Sequence, residues 1–499
     1  MAANQPRSTV SGEQPRPPSP TSTFYAHTSA PRVNTDATLH ASIRAAHPTS
    51  TITIIPEFNS PFKLYAQATS NATITPLSPD STLSWLLYFP PPRRLDGGAG
   101  VLATETFYEV YLLHYKSAEF LVYFADGRDG TSPYPQIRNQ YVVSTASDAA
   151  GPLTTLVREA GQWLSALNEE IWVFDQGYWQ KDAELYHNIM QSTWDNVILH
   201  EELKDDLIST VSRFFDSRDD YDRLGVPWKR GLIFYGPPGN GKTVSIKATM
   251  HTLYKRRAAV PSLYVKSLQS FAGPEYSISA IFGRARAEAP CYLVFEDLDS
   301  MVTDDVRSFF LNAVDGLAIN EGVLMVGSTN HLERLDPGIA KRPSRFDRKY
   351  LFDDPDKELR TRYAEFWRKK VRDAGEGKGT EGVHDRKEKE GEVEFPKVLC
   401  EKIAGITDGF SFAYMQEAFV SALLVIATRQ REGTDSRGDE VKMLGEQWEL
   451  LDLEENEKAS DGGNGDDGDD KDLDKYVLWR EIKKQVETLR KEMDKKKGD

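Results

Sequence analysis

The chain has 499 residues, 39% hydrophobic and 27% charged, with a formal net charge of −15. Its length allows roughly three domains, and its acidity argues against nucleic-acid binding, which needs a Lys/Arg surface. No run approaches the ~18 apolar residues of a membrane span, and two cysteines, Cys291 and Cys400, supply neither a disulfide framework nor a thiolate zinc site.

Residues 1–24 are rich in Pro, Ser and Thr and read as a disordered tail without an apolar signal core. Cytoplasm or nucleus is the expected compartment. Scattered arginines keep a mitochondrial address open, although the prolines would spoil a targeting helix. Residues 25–190 read as an α+β accessory domain. Phe107–Phe124 is dense in aromatic and β-branched residues and predicts a hairpin. Val157, Ala160, Trp163, Leu164 and Leu167 then recur at helical spacing.

From residue 191 to 355 short apolar runs alternate with helical stretches, the pattern of βα units and a parallel sheet. Strands are predicted at Gly231–Tyr235, Leu263–Lys266, Tyr292–Glu296 and Val323–Ser328. Each later strand ends at a polar residue, where open α/β sheets place ligands. Residues 356–430 read as a smaller helical domain with a charged insert at 375–392. The stretch 431–475 reads as an acidic disordered tract. From Leu451 to Lys475 it holds 11 acidic residues against 3 lysines. Residues 476–499 place Leu478, Ile482, Val486, Leu489 and Met493 on one helix face, to dock on the chain's own domain or on a neighbour.

The strongest motif is Gly236-Pro237-Pro238-Gly239-Asn240-Gly241-Lys242-Thr243, which fits G-x-x-x-x-G-K-[ST] in full. Glycines let the backbone present N–H groups to phosphate. Lys242 is suited to the β- and γ-oxygens, and Thr243 to Mg²⁺. An apolar strand precedes the loop, and Val244 begins a run to Tyr254 whose helical N-terminus would face the anion. ATP with Mg²⁺ is the expected ligand. Downstream, Cys291–Phe295 delivers Glu296 and Asp297 to a strand end. Glu296 is expected to retain Mg²⁺ through water, and Asp297 to orient the attacking water.

In order, these motifs resemble the AAA family of ATPases. Val323–Asn330 is similar to the family's sensor-1 strand, and the resemblance implies that Asn330 helps place the lytic water. Leu335–Arg348 resembles the second region of homology, implying that Arg342 and Arg345 are arginine fingers. Such cations stabilise charge on the transferring phosphoryl group. In the family they reach a neighbour's nucleotide, implying a homo-oligomeric, hexamer-like ring. Asp408–Ala413 is similar to the small-domain signature, with Ala413 where the family carries arginine. The implied fold is a P-loop α/β sheet with a C-terminal helical small domain.

Three details resemble the mitochondrial Rieske-protein translocase (Bcs-type) subgroup. They are Trp194–Leu199 followed by Gly225–Gly231, the Glu296-Asp297 order, and the piece Ile171–Trp194. That subgroup carries an N-terminal membrane span, and these 499 residues contain none. Ser270–Gly273 occupies the place of an aromatic pore loop that grips polypeptide, with a register one residue shorter.

The expectation is an ATP-hydrolysing machine that remodels or translocates an unspecified protein client. The Glu296-Asp297 inversion leaves open a nucleotide-gated scaffold with little turnover. A DNA-handling relative is disfavoured by the acidity.

Overall fold

A computed structural model describes residues 35–77, 82–91, 98–126, 138–144, 150–315, 320–340, 342, 345–375, 393–434 and 473–498. The tail expected at 1–24 lies outside the described residues. So does the insert beyond residue 375, and so does most of the acidic tract. The chain divides into two compact units, 1–167 and 168–499.

In the first unit β1 (Thr51–Pro56), β2 (Ala72–Pro76), β3 (Leu83–Phe89), β4 (Val101–Tyr115), β5 (Ala118–Asp126) and β6 (Arg138–Ser144) form one antiparallel sheet. The order is β1-β6-β5-β4-β2, with β3 also paired to β4. The predicted hairpin is β4–β5, whose turn places Lys116 at φ 54°. Inward-facing Tyr111, Leu113, Tyr115, Phe120 and Val122 alternate along it and are buried. The predicted helix spans Ala150–Ser165 and buries Leu153, Leu156 and Ala160 in the same core.

The second unit is built on a seven-stranded sheet with order β13-β9-β12-β11-β10-β7-β8. Its strands are β7 (Ile171–Asp175), β8 (Tyr178–Asp182), β9 (Lys229–Tyr235), β10 (Ser262–Val265), β11 (Cys291–Phe295), β12 (Val323–Thr329) and β13 (Arg348–Leu351). All pairs are parallel except the β7–β8 hairpin. The accessory boundary expected at residue 190 therefore moves to 167. Ile171, Val173 and Phe174 are buried, and β7 pairs with β10, so this segment completes the sheet of the second unit.

The central strands read as continuous apolar runs because helices cover both faces. Cys291–Phe295 and Val323–Thr329 are buried at every position. Beyond the sheet, helices Lys357–Gly375, Val398–Ile406, Phe412–Thr434 and Val477–Gly498 share one core. The last helix contributes Leu478, Trp479, Ile482 and Val486 to it, with Trp479 fully buried. Among the described residues no helix is long and apolar enough to cross a membrane.

Candidate active site

The site is assembled at the C-terminal ends of β9, β11 and β12, three adjacent central strands. Where β9 ends, the chain enters the loop 236–241 and then the helix Lys242–Tyr254. Gly236 adopts φ +136°, and a Cβ there would come within 2.2 Å of the Phe352 carbonyl oxygen. Gly239, at φ +82°, leaves only enough room for the Ala413 methyl, which a Cβ would meet at 2.5 Å. These positions admit glycine alone without a shift of the neighbouring chain.

Lys242 is buried, and its ammonium donates to the carbonyls of Gly236 (2.7 Å) and Pro237 (2.8 Å). Burial lowers its pKa, while the negative charges of Asp297 and Asp299 act to raise it. Thr243 and Val244, at the start of the helix, are exposed. The helix N-terminus presents unsatisfied N–H groups and positive dipole in the same direction, an arrangement suited to phosphate.

The carboxylates divide in their partners. One oxygen of Glu296 accepts from the Tyr264 hydroxyl on β10, while Oε1 is buried with no hydrogen-bond partner. Burial raises the Tyr264 pKa, with Glu296 adding to the rise, so this phenol stays protonated and a donor. Asp297 takes a left-handed conformation, φ 51° and ψ 53°, and its N–H donates to Ser328 Oγ at 3.2 Å. Asp299 accepts from Thr329 Oγ1 at 2.7 Å. Two hydroxyls at the end of β12 thus fix the acidic turn after β11. Left-handed backbone costs a residue with a Cβ about 1–2 kcal/mol, although aspartate tolerates it better than most.

Asn330 follows β12 directly. It lines a cleft of about 860 Å³ together with Tyr235, Gly236, Pro237, Pro238 and His331. The first residues of the phosphate loop, Gly236–Pro238, and Asn330 therefore open onto the same space, while Lys242, Thr243, Glu296 and Asp297 are not among its lining residues.

The two arginines expected as fingers occupy different environments. Arg342 is exposed, its Nη2 3.8 Å from Asp315 Oδ2. Arg345 is only 9% exposed. Its Nη1 donates to Gly338 O at 2.7 Å and its Nε lies 3.7 Å from Asp315 Oδ2. In this chain Arg345 braces its own loop.

Asn240 links the loop to the helical core. Its amide nitrogen donates to Asp354 Oδ1 at 2.8 Å, and its carbonyl oxygen accepts from the Phe412 N–H at 3.3 Å. Phe271, in the stretch expected to be a pore loop, is 77% exposed and stacks on Tyr178 at 5.7 Å, away from the phosphate loop.

Sequence reasoning missed Tyr264, Ser328 and Thr329. Their signal was weak, because each becomes relevant only once the strand order sets β10 and β12 on either side of β11.

Residues 232–354 match the model of the ATPase family associated with various cellular activities (AAA). Over that stretch the chain is similar to the AAA family. The match runs from the strand before the phosphate loop to Asp354, the residue that Asn240 bonds, and it supports an AAA-family ATPase. AAA domains in general bind nucleotide with Mg²⁺. The donor set here fits that pair, with an exposed Thr243 hydroxyl at the helix start and one Glu296 oxygen without a partner.

Proposed function

We propose that the chain hydrolyses ATP to ADP and phosphate, and that it does so as a ring of identical subunits acting on a protein client. The observation that carries the reading is the convergence of Gly236–Thr243, Glu296, Asp297 and Asn330 at neighbouring strand ends. In this account the loop N–H groups and Lys242 hold the β- and γ-phosphates, and Lys242 offsets charge that grows on the transferring group. Thr243 and Glu296 would hold Mg²⁺, and the ion would supply positive charge to offset that of the phosphates. Asp297 orients the attacking water and receives its proton, with Asn330 fixing the water's other side.

Arg342 is the finger that reaches a neighbouring subunit's nucleotide, since it is exposed while Arg345 is not. The Asn240 bridge would transmit phosphate-loop movement to the helical core, so that ATP and ADP favour different domain settings. The accessory unit would select the client, with Phe271 as the candidate gripping residue. The Glu-Asp order and the segments 171–199 and 225–231 resemble those of the Rieske-translocase subgroup, and support placing the ATPase core beside it.

A second reading is a scaffold in which ATP governs assembly with negligible turnover. It is favoured by Asp297, which is one methylene shorter than glutamate and set in left-handed backbone.

The two readings separate in an assay of phosphate release against protein concentration, with mass followed by light scattering. A shared site predicts specific activity that rises with assembly, and an Arg342→Ala chain that assembles without turnover. Flat, negligible turnover in a fully assembled wild type would replace the machine with the scaffold.

A further inference from the structure

Tyr264 and Glu296 come from neighbouring strands and share one face of the sheet. Tyr264 lies directly opposite Val294 in the parallel pairing of β10 and β11. Glu296 is two residues beyond Val294, so strand alternation turns both side chains toward the face covered by the phosphate-loop helix. The Tyr264 ring packs there against the cluster that holds Val294, Ile246 and Ala248. Its hydroxyl donates to Oε2 of Glu296, since an ionised carboxylate only accepts. Among the described residues this is the one hydrogen bond or ion pair that the Glu296 carboxylate makes. Lys242 donates to the Gly236 and Pro237 carbonyls instead.

Glutamate has a long side chain with much rotamer freedom to lose when it is fixed. Unbraced at a strand end, its carboxylate would sample several positions. A hydroxyl carried on a packed ring removes that freedom before any ligand arrives. The bond also makes the two oxygens unequal. Oε2 is occupied, whereas Oε1 is buried without a hydrogen-bond partner, a setting that favours a cation or a donor beside it. The later acidic residues are braced from the other side, where β12 flanks β11. Ser328 accepts from the Asp297 N–H and Thr329 donates to Asp299. Neither hydroxyl bonds Glu296, which depends on Tyr264 alone.

We propose that Tyr264 is a positioning residue, whose hydroxyl holds one oxygen of Glu296 so that the other, Oε1, is presented to Mg²⁺. Its role rests on the proposed ATPase reading, in which Glu296 helps hold the ion, and Tyr264 acts only through that carboxylate. A glutamate at 296 is long enough to meet the phenol on the neighbouring strand, whereas an aspartate would fall a methylene short. Phenol and glutamate are thus a matched pair, which gives a physical reason for glutamate to come first in the Glu296-Asp297 order.

The test uses the full chain and a fluorescent, non-hydrolysable ATP analogue, titrated in EDTA and then against Mg²⁺. Wild type should bind the analogue more tightly as Mg²⁺ is added. Tyr264→Phe keeps the ring and removes only the hydroxyl. It should match wild type in EDTA, yet need roughly tenfold more Mg²⁺ for half-maximal tightening. Glu296→Gln should also raise the Mg²⁺ requirement, and adding Tyr264→Phe to it should change that requirement by less than about twofold. A purely structural role would instead weaken binding in EDTA, lower the melting temperature and leave the Mg²⁺ requirement alone. Should Tyr264→Phe fail to bind even in EDTA, Glu296→Asp shortens the other partner and should raise the Mg²⁺ requirement similarly; a wild-type requirement there would overturn the proposal. So would a Tyr264→Phe chain with wild-type Mg²⁺ dependence, or a loss that persists in full in the Glu296→Gln background. Each of these leaves the ATPase reading standing. A wild type whose binding ignores Mg²⁺ would overturn the metal assignment itself, and the role of Tyr264 with it.

Discussion

The side-chain amide of Asn240 donates to Asp354 at 2.8 Å while its carbonyl oxygen accepts from the Phe412 N–H. One residue of the phosphate loop thereby holds both the end of the α/β sheet region and the first turn of a helix in the helical core. Asn240 is 1% exposed, so neither bond can be replaced easily by water. Asn240→Ala should lower the stability of unit 168–499 by about 1–3 kcal/mol. It should also shrink the rise in melting temperature that ADP produces. Thermal melts with and without ADP check this, and an unchanged ADP-induced rise would mean the bridge does not couple the two parts.

Lys242 makes nucleotide binding depend on alkaline pH. Its burial holds its pKa below the ordinary lysine value. Anionic phosphates favour the charged lysine, so binding above that depressed pKa must take up a proton. Affinity should be full below the depressed pKa and fall above it by up to about tenfold per pH unit. For the nucleotide-free fold the sign is reversed, because the cost of a buried ammonium is relieved as pH rises from the depressed value toward the ordinary one. Asp297→Asn or Asp299→Asn removes a charge that raises the pKa, so the affinity should begin to fall at lower pH. Lys242→Arg, charged throughout, should show no fall in that window. Fluorescent-nucleotide titrations across pH decide the matter.

Arg342 and Arg345 should separate chemistry from stability. Arg345 is buried against Gly338 and Asp315, so Arg345→Ala should cost about 1–3 kcal/mol and lower the melting temperature by several degrees. Arg342→Ala should leave the melt within about 0.5 kcal/mol of wild type and abolish turnover of the assembled protein. The reverse pattern would exchange their roles.

The phosphate loop, the strands around it and the helix that follows were legible because each is a contiguous run with its own periodicity. The expected strand Val323–Ser328 is found as Val323–Thr329, and the expected helix Val244–Tyr254 as Lys242–Tyr254. What was hidden depends on neighbours distant in sequence. The burial of Arg345 requires Asp315 and Gly338, the bond from Tyr264 to Glu296 requires β10 beside β11, and β7 joins the second unit only through its pairing with β10. Nothing in the sequence of the apolar run Leu83–Phe89 marks it as exposed, yet six of its seven residues are.

The terminal helix is structural. Trp479 is fully buried among side chains of the helical core. Trp479→Ala should cost about 3–5 kcal/mol, seen as early loss of helical signal in a urea titration. A loss below about 1 kcal/mol would show that the helix contributes little to that core.

The most direct test of the central claim is phosphate release by the full chain beside its Asp297→Asn variant, with ATP binding measured on both. The account predicts steady turnover by the wild type, and a variant that binds ATP comparably at neutral pH but turns over at least about 100-fold more slowly. Equal turnover in the two would contradict the role given to Asp297. An absence of turnover in both, with ATP bound, would show that these strand ends hold nucleotide without hydrolysing it.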